Sequence, residues 1–326
     1  MRVLVAGLPR SGTTWVGEAL ARVPGTAYVH EPDNRDVDRF AGVAKRGLGR
    51  FGFHPVVEAG QRADTYAVLW DLAFRGGWPD RRALGRLRRL AEQSPPRLHV
   101  AGLTALARGA ARVPQRADHV VVKSVHSTLA LEWVAGHTGA TVVVVRRPVP
   151  EVVASWLERD FVGYPLDEVP AVRRRWLDAL GLPPRPAGDR VADVAWTVAV
   201  LDLILARTTA SHPDWVLADH PSLCEAPVER FRELFARAGM PWDAAVERFL
   251  VESDRPGTGF ATQRVASQER DKWLRRLSPE DVATVRRVGA EVAEGAAATA
   301  VAPAQPESGA APTIAARDAA RPAARG

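Results

Sequence analysis

Five short apolar-rich runs organise this chain: "VLVAG" from Val3, "TAYVH" from Thr26, "HVVVKS" from His119, "TVVVVRR" from Thr141 and "WVLADH" from Trp215. Most lack the strict alternation of a half-solvated strand, which fits strands buried on both faces. Between them lie segments whose apolar residues recur at helical spacing: "GTTWVGEALARV", "STLALEWVAGH", "PEVVASWLERD" and "APVERFRELFARAG", the last with Gly239 as its expected stop. Strands alternating with helices predict an α/β fold of three layers, a parallel sheet with helices on both faces. Ligands of such sheets bind beyond the carboxyl ends of the strands. The segment Pro9 to Thr13, together with Glu31, Lys123 and Arg146, falls at those ends.

Two stretches interrupt the alternation. Residues 36–118 hold helical patterns such as "PDRRALGRLRRLAEQ" without a strand of comparable strength, and residues 160–190 carry the proline-rich "YPLDEVP" and "GLPPRPAGD". Both are expected to be insertions over the active face. From Gly295 the chain is Ala, Pro, Gly and Ser with few large apolar residues, so one domain over 1–294 and a disordered tail over 295–326 are expected.

Composition narrows the function. At 326 residues and 46% hydrophobic content the chain can bury one large core, and no apolar run is long enough to span a bilayer. The first apolar run ends at Pro9-Arg10, too early for a secretory signal, so the cytoplasm is the expected compartment. A single cysteine, Cys224, leaves no disulfide framework and no thiolate cluster for zinc. The net charge of +6 is spread among acidic residues, as in "RRRWLDAL" and "PVERFREL", the pattern of solvated helix faces and not of a nucleic-acid stripe. An anionic small ligand accounts equally well for the surplus.

The candidate chemistry begins at "GLPRSGTTW". A strand-to-helix turn with glycines presents backbone N–H groups at the positive end of a helix dipole, a site for phosphate. Gly7 and Gly12 have the spacing of an ATP-binding phosphate loop, but Thr13 stands where that loop needs lysine, and a cation occurs earlier, at Arg10. The bland alternative is a tight turn with an exposed arginine.

This loop, Pro9-Arg10-Ser11-Gly12-Thr13-Thr14-Trp15, resembles the 5′-phosphosulfate loop of the sulfotransferases that use 3′-phosphoadenosine 5′-phosphosulfate (PAPS), including bacterial ones. "VVVVRRPVPEVVASW" is similar to that family's 3′-phosphate segment, a strand ending in Arg-x-Pro with a serine on the next helix. Arg146 is the nominal match, but the serine expected eight residues later is Ala154. Ser155 is eight residues after Arg147, and a one-residue bulge near Val149-Pro150 restores the register, so either arginine fits. "VVKSVHSTLALEW" resembles the central segment in which a lysine approaches the transferred group. "HPSLCEAPVERF" resembles a later connection, with Pro221 and Ser222 in place of its usual acidic pair. "ATQRVASQERDKWL" resembles the closing lid, with Arg264, Ser267 and Lys272 as candidate nucleotide contacts.

The resemblance runs from residue 1 to about 294 and implies a P-loop-like fold, PAPS as donor, and a small-molecule, lipid or carbohydrate hydroxyl as acceptor, with no metal and no nucleic acid. It implies that Arg10 and the N–H groups from Ser11 to Thr14 hold the 5′-phosphosulfate, and that Arg146 or Arg147 with Ser155 holds the 3′-phosphate. Lys123, one of three lysines in the chain, is implied to stabilise charge on the bridging or sulfuryl oxygens as a compact point charge. Two residues compete as general base: Glu31 in "YVHEPDN" and His126 in "KSVHS". His30 is expected to be a buried or supporting contact. Phe51, Phe53, Trp70, Trp78, Tyr164 and Trp176 are candidates for an apolar acceptor wall, although aromatic residues at helical spacing more often belong to a core. The alternatives are an ATP-dependent kinase with a degenerate loop and a catalytically inactive nucleotide-binding module.

Overall fold

The computed structural model describes residues 1–51, 54–78, 96–112, 117–254 and 272–301. All five expected strands form: β1 (Arg2–Gly7), β2 (Thr26–His30), β5 (His119–Ser124), β6 (Thr141–Arg146) and β7 (Val216–Asp219). They make one sheet in the order β2-β5-β1-β6-β7, each neighbouring pair parallel. A feature the periodicity did not announce is a small antiparallel pair, β3 (Gly49–Phe51) and β4 (His54–Val56), whose three-residue strands are too short to carry a pattern.

The continuous apolar runs are explained by the two faces they feed. Leu4, Ala6, Val120, Val122, Val142 and Val144 face one layer, with Phe40, Tyr66, Trp70 and Trp133. Val3, Val5, Val121, Val143 and Val145 face the other, with Val16, Leu20, Phe231 and Phe235. Successive side chains of a strand point to opposite faces, so a strand covered on both sides must be apolar at every position. Fully burying each of these valines contributes roughly 1.5 kcal/mol or more. A third cluster joins the helices Val149–Leu157, Arg190–Ala210 and Pro279–Val301 through Val152, Trp156, Trp196, Val285 and Val288.

The helix Pro227–Ala238 stops at Gly239, whose φ of 71° is the left-handed cap that the sequence placed there. The last helix runs to Val301, beyond the Gly295 boundary; Ala296 is buried, and the Gly295 position lies against the backbone of Gly181. Residues 302–326 of the expected tail, and the expected helical stretch at 79–93, lie outside the described residues. Among the described residues, no helix is long and apolar enough to cross a membrane.

Candidate active site

The carboxyl ends of β1, β2, β5 and β6 open onto a cavity of about 800 Å³, inside the size range of sites for nucleotides and other small ligands. Its floor is the turn between β1 and the helix Thr13–Leu20. That helix starts at Gly12 (φ 96°) with no side-chain cap, so its first-turn N–H groups are those a helix cannot satisfy by itself. Gly12, Thr13, Thr14 and Trp15 line the cavity there. The turn is tied down from behind: Ser11 N–H and Oγ–H both donate to Leu8 O (3.1 and 2.8 Å), and Trp156 Nε1 donates to Pro9 O (2.9 Å). Ser11 is buried and faces into the turn, outside the cavity wall, and its N–H is already engaged; it shapes the loop.

Glycine is required twice in this turn. A Cβ on Gly7 would come within 2.5 Å of Val145 O, because β1 and β6 are adjacent at Gly7 and Val145. A Cβ on Gly12 would clash with His220 Cδ2, in a backbone conformation that disfavours side chains. Gly12→Ala should therefore destabilise the protein by at least about 2 kcal/mol and displace His220, read as a fall in chemical-denaturation midpoint. An unchanged midpoint would show that the turn is looser than this packing implies.

Two guanidinium groups meet at the loop. Arg10 sits at φ 72°, uncommon for a residue with a side chain, and its Nε donates to Ser155 Oγ at 3.0 Å. Arg147 Nη1 donates to Arg10 O at 3.3 Å and its Nε to Glu151 Oε2 at 2.6 Å. Both arginines line the cavity. Arg146, the nominal sequence match, does not: its Nε and Nη2 form a two-point pair with Asp202 at 3.1 and 2.6 Å. The helix Val149–Leu157 starts directly after Pro148 and runs unbroken, so no bulge is needed; the arginine eight residues before Ser155 is the one at the cavity. Ser155 is buried behind Arg10 and not in the cavity wall.

Across the cavity, β2 and β5 pair His30 with Lys123, and Glu31 N–H continues the ladder to Lys123 O at 2.8 Å. This register brings Glu31 Oε1 onto Lys123 Nζ in a direct ion pair. Asn34 Nδ2 donates to the other oxygen, Glu31 Oε2, at 2.7 Å. Burial works to raise the Glu31 pKa, but the charge and hydrogen bond of Lys123, the Asn34 hydrogen bond and the nearby His30 outweigh it and hold it down at about 2. Burial pulls the Lys123 pKa down and Glu31 resists it. We take the pair as ionised at neutral pH, because each charge is the other's nearest compensation in a dry setting. Glu31 itself has φ 46°, a second strained residue at the site.

His126 also lines the cavity, nearly buried, with its ring 5.4 Å from that of His54; burial lowers its pKa, which favours the neutral imidazole. His30 is exposed at the rim, so the buried alternative fails, and its Nε2 lies 3.8 Å from Glu31 Oε1, in the supporting position. Trp15 Nε1 donates to Ser253 Oγ at 3.1 Å. Of the aromatic candidates, Tyr164 lines the cavity with Phe161 and Val162, whereas Trp70 is wholly buried in the core and Trp78 donates to Asp38. Trp176 packs in the cluster around the helix Arg190–Ala210. Phe53 and the Phe51 side chain lie outside the described residues, as do Arg264 and Ser267. Lys272 opens a single 3-10 turn, Lys272–Arg275, and its side chain is outside the described set.

Sequence reasoning singled out neither Asn34 nor His220 as a site residue. His220 follows the last strand, β7, on the same edge of the sheet, and that placement is the signal that would have marked it.

No protein-family model matches the chain, and no curated protein matches it. Solved structures with a similar chain path include the sulfotransferase domain from the curacin biosynthetic pathway, with a TM-score of 0.46, 10% identity, and 89% of this chain and 96% of that one covered. Another is the sulfotransferase domain of the Synechococcus PCC 7002 olefin synthase, at TM-score 0.41 and 16% identity, covering 88% and 94%. A third is mouse sulfotransferase SULT7A1 complexed with PAP, at TM-score 0.39 and 9% identity, covering 92% and 87%.

Proposed function

We propose that this protein transfers a sulfuryl group from PAPS to a hydroxyl of an apolar small molecule. The observation that carries the reading is the convergence of two guanidinium groups, Arg10 and Arg147, on the uncapped start of a helix, opposite the Lys123–Glu31 pair. Three cations and a set of free amides suit a donor with phosphate at one ribose position and phosphosulfate at another. The loop lacks the lysine with which an ATP-binding loop holds its terminal phosphates.

The residues then have distinct tasks. Arg10 and the N–H groups of Gly12 to Thr14 bind the 5′-phosphosulfate, and Arg147 takes the 3′-phosphate. Glu31 accepts the proton of the acceptor hydroxyl as its oxygen bonds to sulfur. The bond from sulfur to the bridging oxygen breaks, and its electron pair leaves on adenosine 3′,5′-bisphosphate, where Arg10 meets the developing charge. Lys123 holds the sulfuryl oxygens; fixed charges of this kind are the main source of catalysis for a loose transition state. In leaving Glu31 for the sulfuryl group, Lys123 releases the carboxylate from the contact that makes it a weak base. Val125, Phe161, Val162 and Tyr164 give the acceptor an apolar wall next to His126 and Glu31.

Titration followed by thermal unfolding tests the donor. Adenosine 3′,5′-bisphosphate at 100 times its Kd should stabilise the fold by about 2.7 kcal/mol, and ATP with magnesium should do much less. Stabilisation by ATP with magnesium alone would replace this reading with the kinase one. Bisphosphate binding with no transfer to any of a panel of alcohols and phenols would leave an inactive nucleotide-binding module.

A further inference from the structure

Asp33 lies two residues after Glu31, yet it is outside the cavity wall and completely buried, 0% exposed. Its Oδ2 accepts a hydrogen bond from Ser124 Oγ at 2.8 Å. Ser124 Oγ in turn accepts the N–H groups of His126 and Ser127 at 3.2 and 3.1 Å, closing the turn that follows Lys123. Asp33 thus fixes the direction of the Ser124 hydroxyl and ties the loop bearing Glu31 to the loop bearing Lys123 and His126. Its other oxygen, Oδ1, is buried with no hydrogen-bond partner. A neutral acceptor would close the same turn without the desolvation penalty of a half-satisfied anion. The negative charge therefore calls for a reason of its own.

The surroundings of Lys123 supply one. Its side chain is 3% exposed. Arg10 approaches from the phosphate loop and opposes its charge, while Glu31 and Asp33 favour it. From β2 come Tyr28, whose proton is held by burial and by Glu18 and Glu31, and His30, whose ring is disfavoured as a cation by burial and by Lys123. His126 on the same turn is disfavoured as a cation by burial, which outweighs the opposing pull of Asp33, and by Lys45 as well. Among the described residues Glu31 and Asp33 compensate the ammonium, and in the proposed reaction Glu31 loses its charge on taking the acceptor's proton.

We propose that Asp33 is the permanent counter-charge of Lys123, a positioning residue that keeps the ammonium protonated and in place once Glu31 has been neutralised. Its catalytic meaning rests on the sulfuryl-transfer reading, but the electrostatic pairing does not. A buried ammonium beside a guanidinium and without an anion gives up its proton readily. Asp33 prevents this at the moment when the sulfuryl oxygens need a cation.

The three lysines make the test direct, because protein labelled with 13C at lysine Cε gives three side-chain signals and Lys123→Arg identifies the one of interest. Glu31→Gln reproduces the neutralised base. Adding Asp33→Asn, which can still accept the Ser124 hydroxyl, should lower the Lys123 titration midpoint by about one pH unit or more. Asp33→Thr provides a second neutral acceptor should the asparagine variant fold poorly. Equal midpoints with and without the Asp33 carboxylate would overturn the proposal. In the otherwise unaltered enzyme, Asp33→Asn should move the alkaline limb of the kcat profile to lower pH, with bisphosphate affinity within about two-fold. A lowered Lys123 midpoint in a protein that transfers no sulfuryl group would retain the pairing and remove the assigned reaction.

Discussion

Arg10→Ala is expected to weaken adenosine 3′,5′-bisphosphate binding by about 100-fold or more, the effect of deleting one partner of a desolvated charge pair, and to bring sulfuryl transfer below detection. The loop is built around this residue: Arg10 O accepts from Arg147 and Arg10 Nε donates to Ser155. The backbone is left-handed there, at φ 72°. Arg10→Gly gives the control. It removes the same guanidinium and also the Cβ, so it should lose as much affinity as Arg10→Ala while folding more stably than it, by roughly 1 kcal/mol. Calorimetric titration and chemical denaturation separate the two quantities. If Arg10→Ala keeps its affinity within about three-fold, the loop does not hold the donor through this cation.

Glu31→Gln should reduce turnover by roughly 10²–10⁴-fold, the usual worth of a general base, with bisphosphate affinity changed only a few-fold. The pH profile distinguishes the two possible bases. A base works deprotonated, so activity falls as pH drops through its pKa in the free enzyme when kcat/KM is measured. Glu31, held at about 2 by Lys123 and Asn34 against the pull of burial, should give a kcat/KM profile that stays flat until the protein unfolds in acid. His126, lowered by burial, would give an acid limb displaced below the ordinary histidine range. Unchanged turnover in Glu31→Gln would assign the base to His126.

The same pair has a consequence for stability. The folded Glu31 pKa lies below its unfolded value near 4.5, so its contribution is fully present above that value and is lost as pH falls toward 2. Wild type should lose stability over that interval more steeply than Glu31→Gln, which has no such group to protonate.

The sheet was legible in the sequence because covering both faces of a strand leaves little freedom in its composition. "HVVVKS" and "TVVVVRR" admit hardly any other placement, and the polar residues that end them had to emerge together at one edge. Gly7, Gly12 and the early arginine were legible for a related reason, since a turn that brings backbone amides to an anion restricts which residues fit. The β3–β4 pair was not, because three residues are too few for a period to show.

Which cation faces the cavity was decided by tertiary packing. Arg146 and Arg147 are adjacent and chemically identical, and no spacing rule separates them. Asp202, on the helix Arg190–Ala210, captures Arg146, leaving Arg147 at the loop. Ser155 went to Arg10 for the same kind of reason: the helix that carries it packs behind the turn, where Trp156 also holds Pro9. Asp33 and His220 depend on contacts between segments far apart in the chain, and a linear pattern does not encode which carboxylate will meet which ammonium across ninety residues. The sequence by itself determined the strands, the edge and the anion-binding turn, because burial and backbone geometry act locally. The tertiary structure alone decided the partners of each charge, because those are set by distance in space.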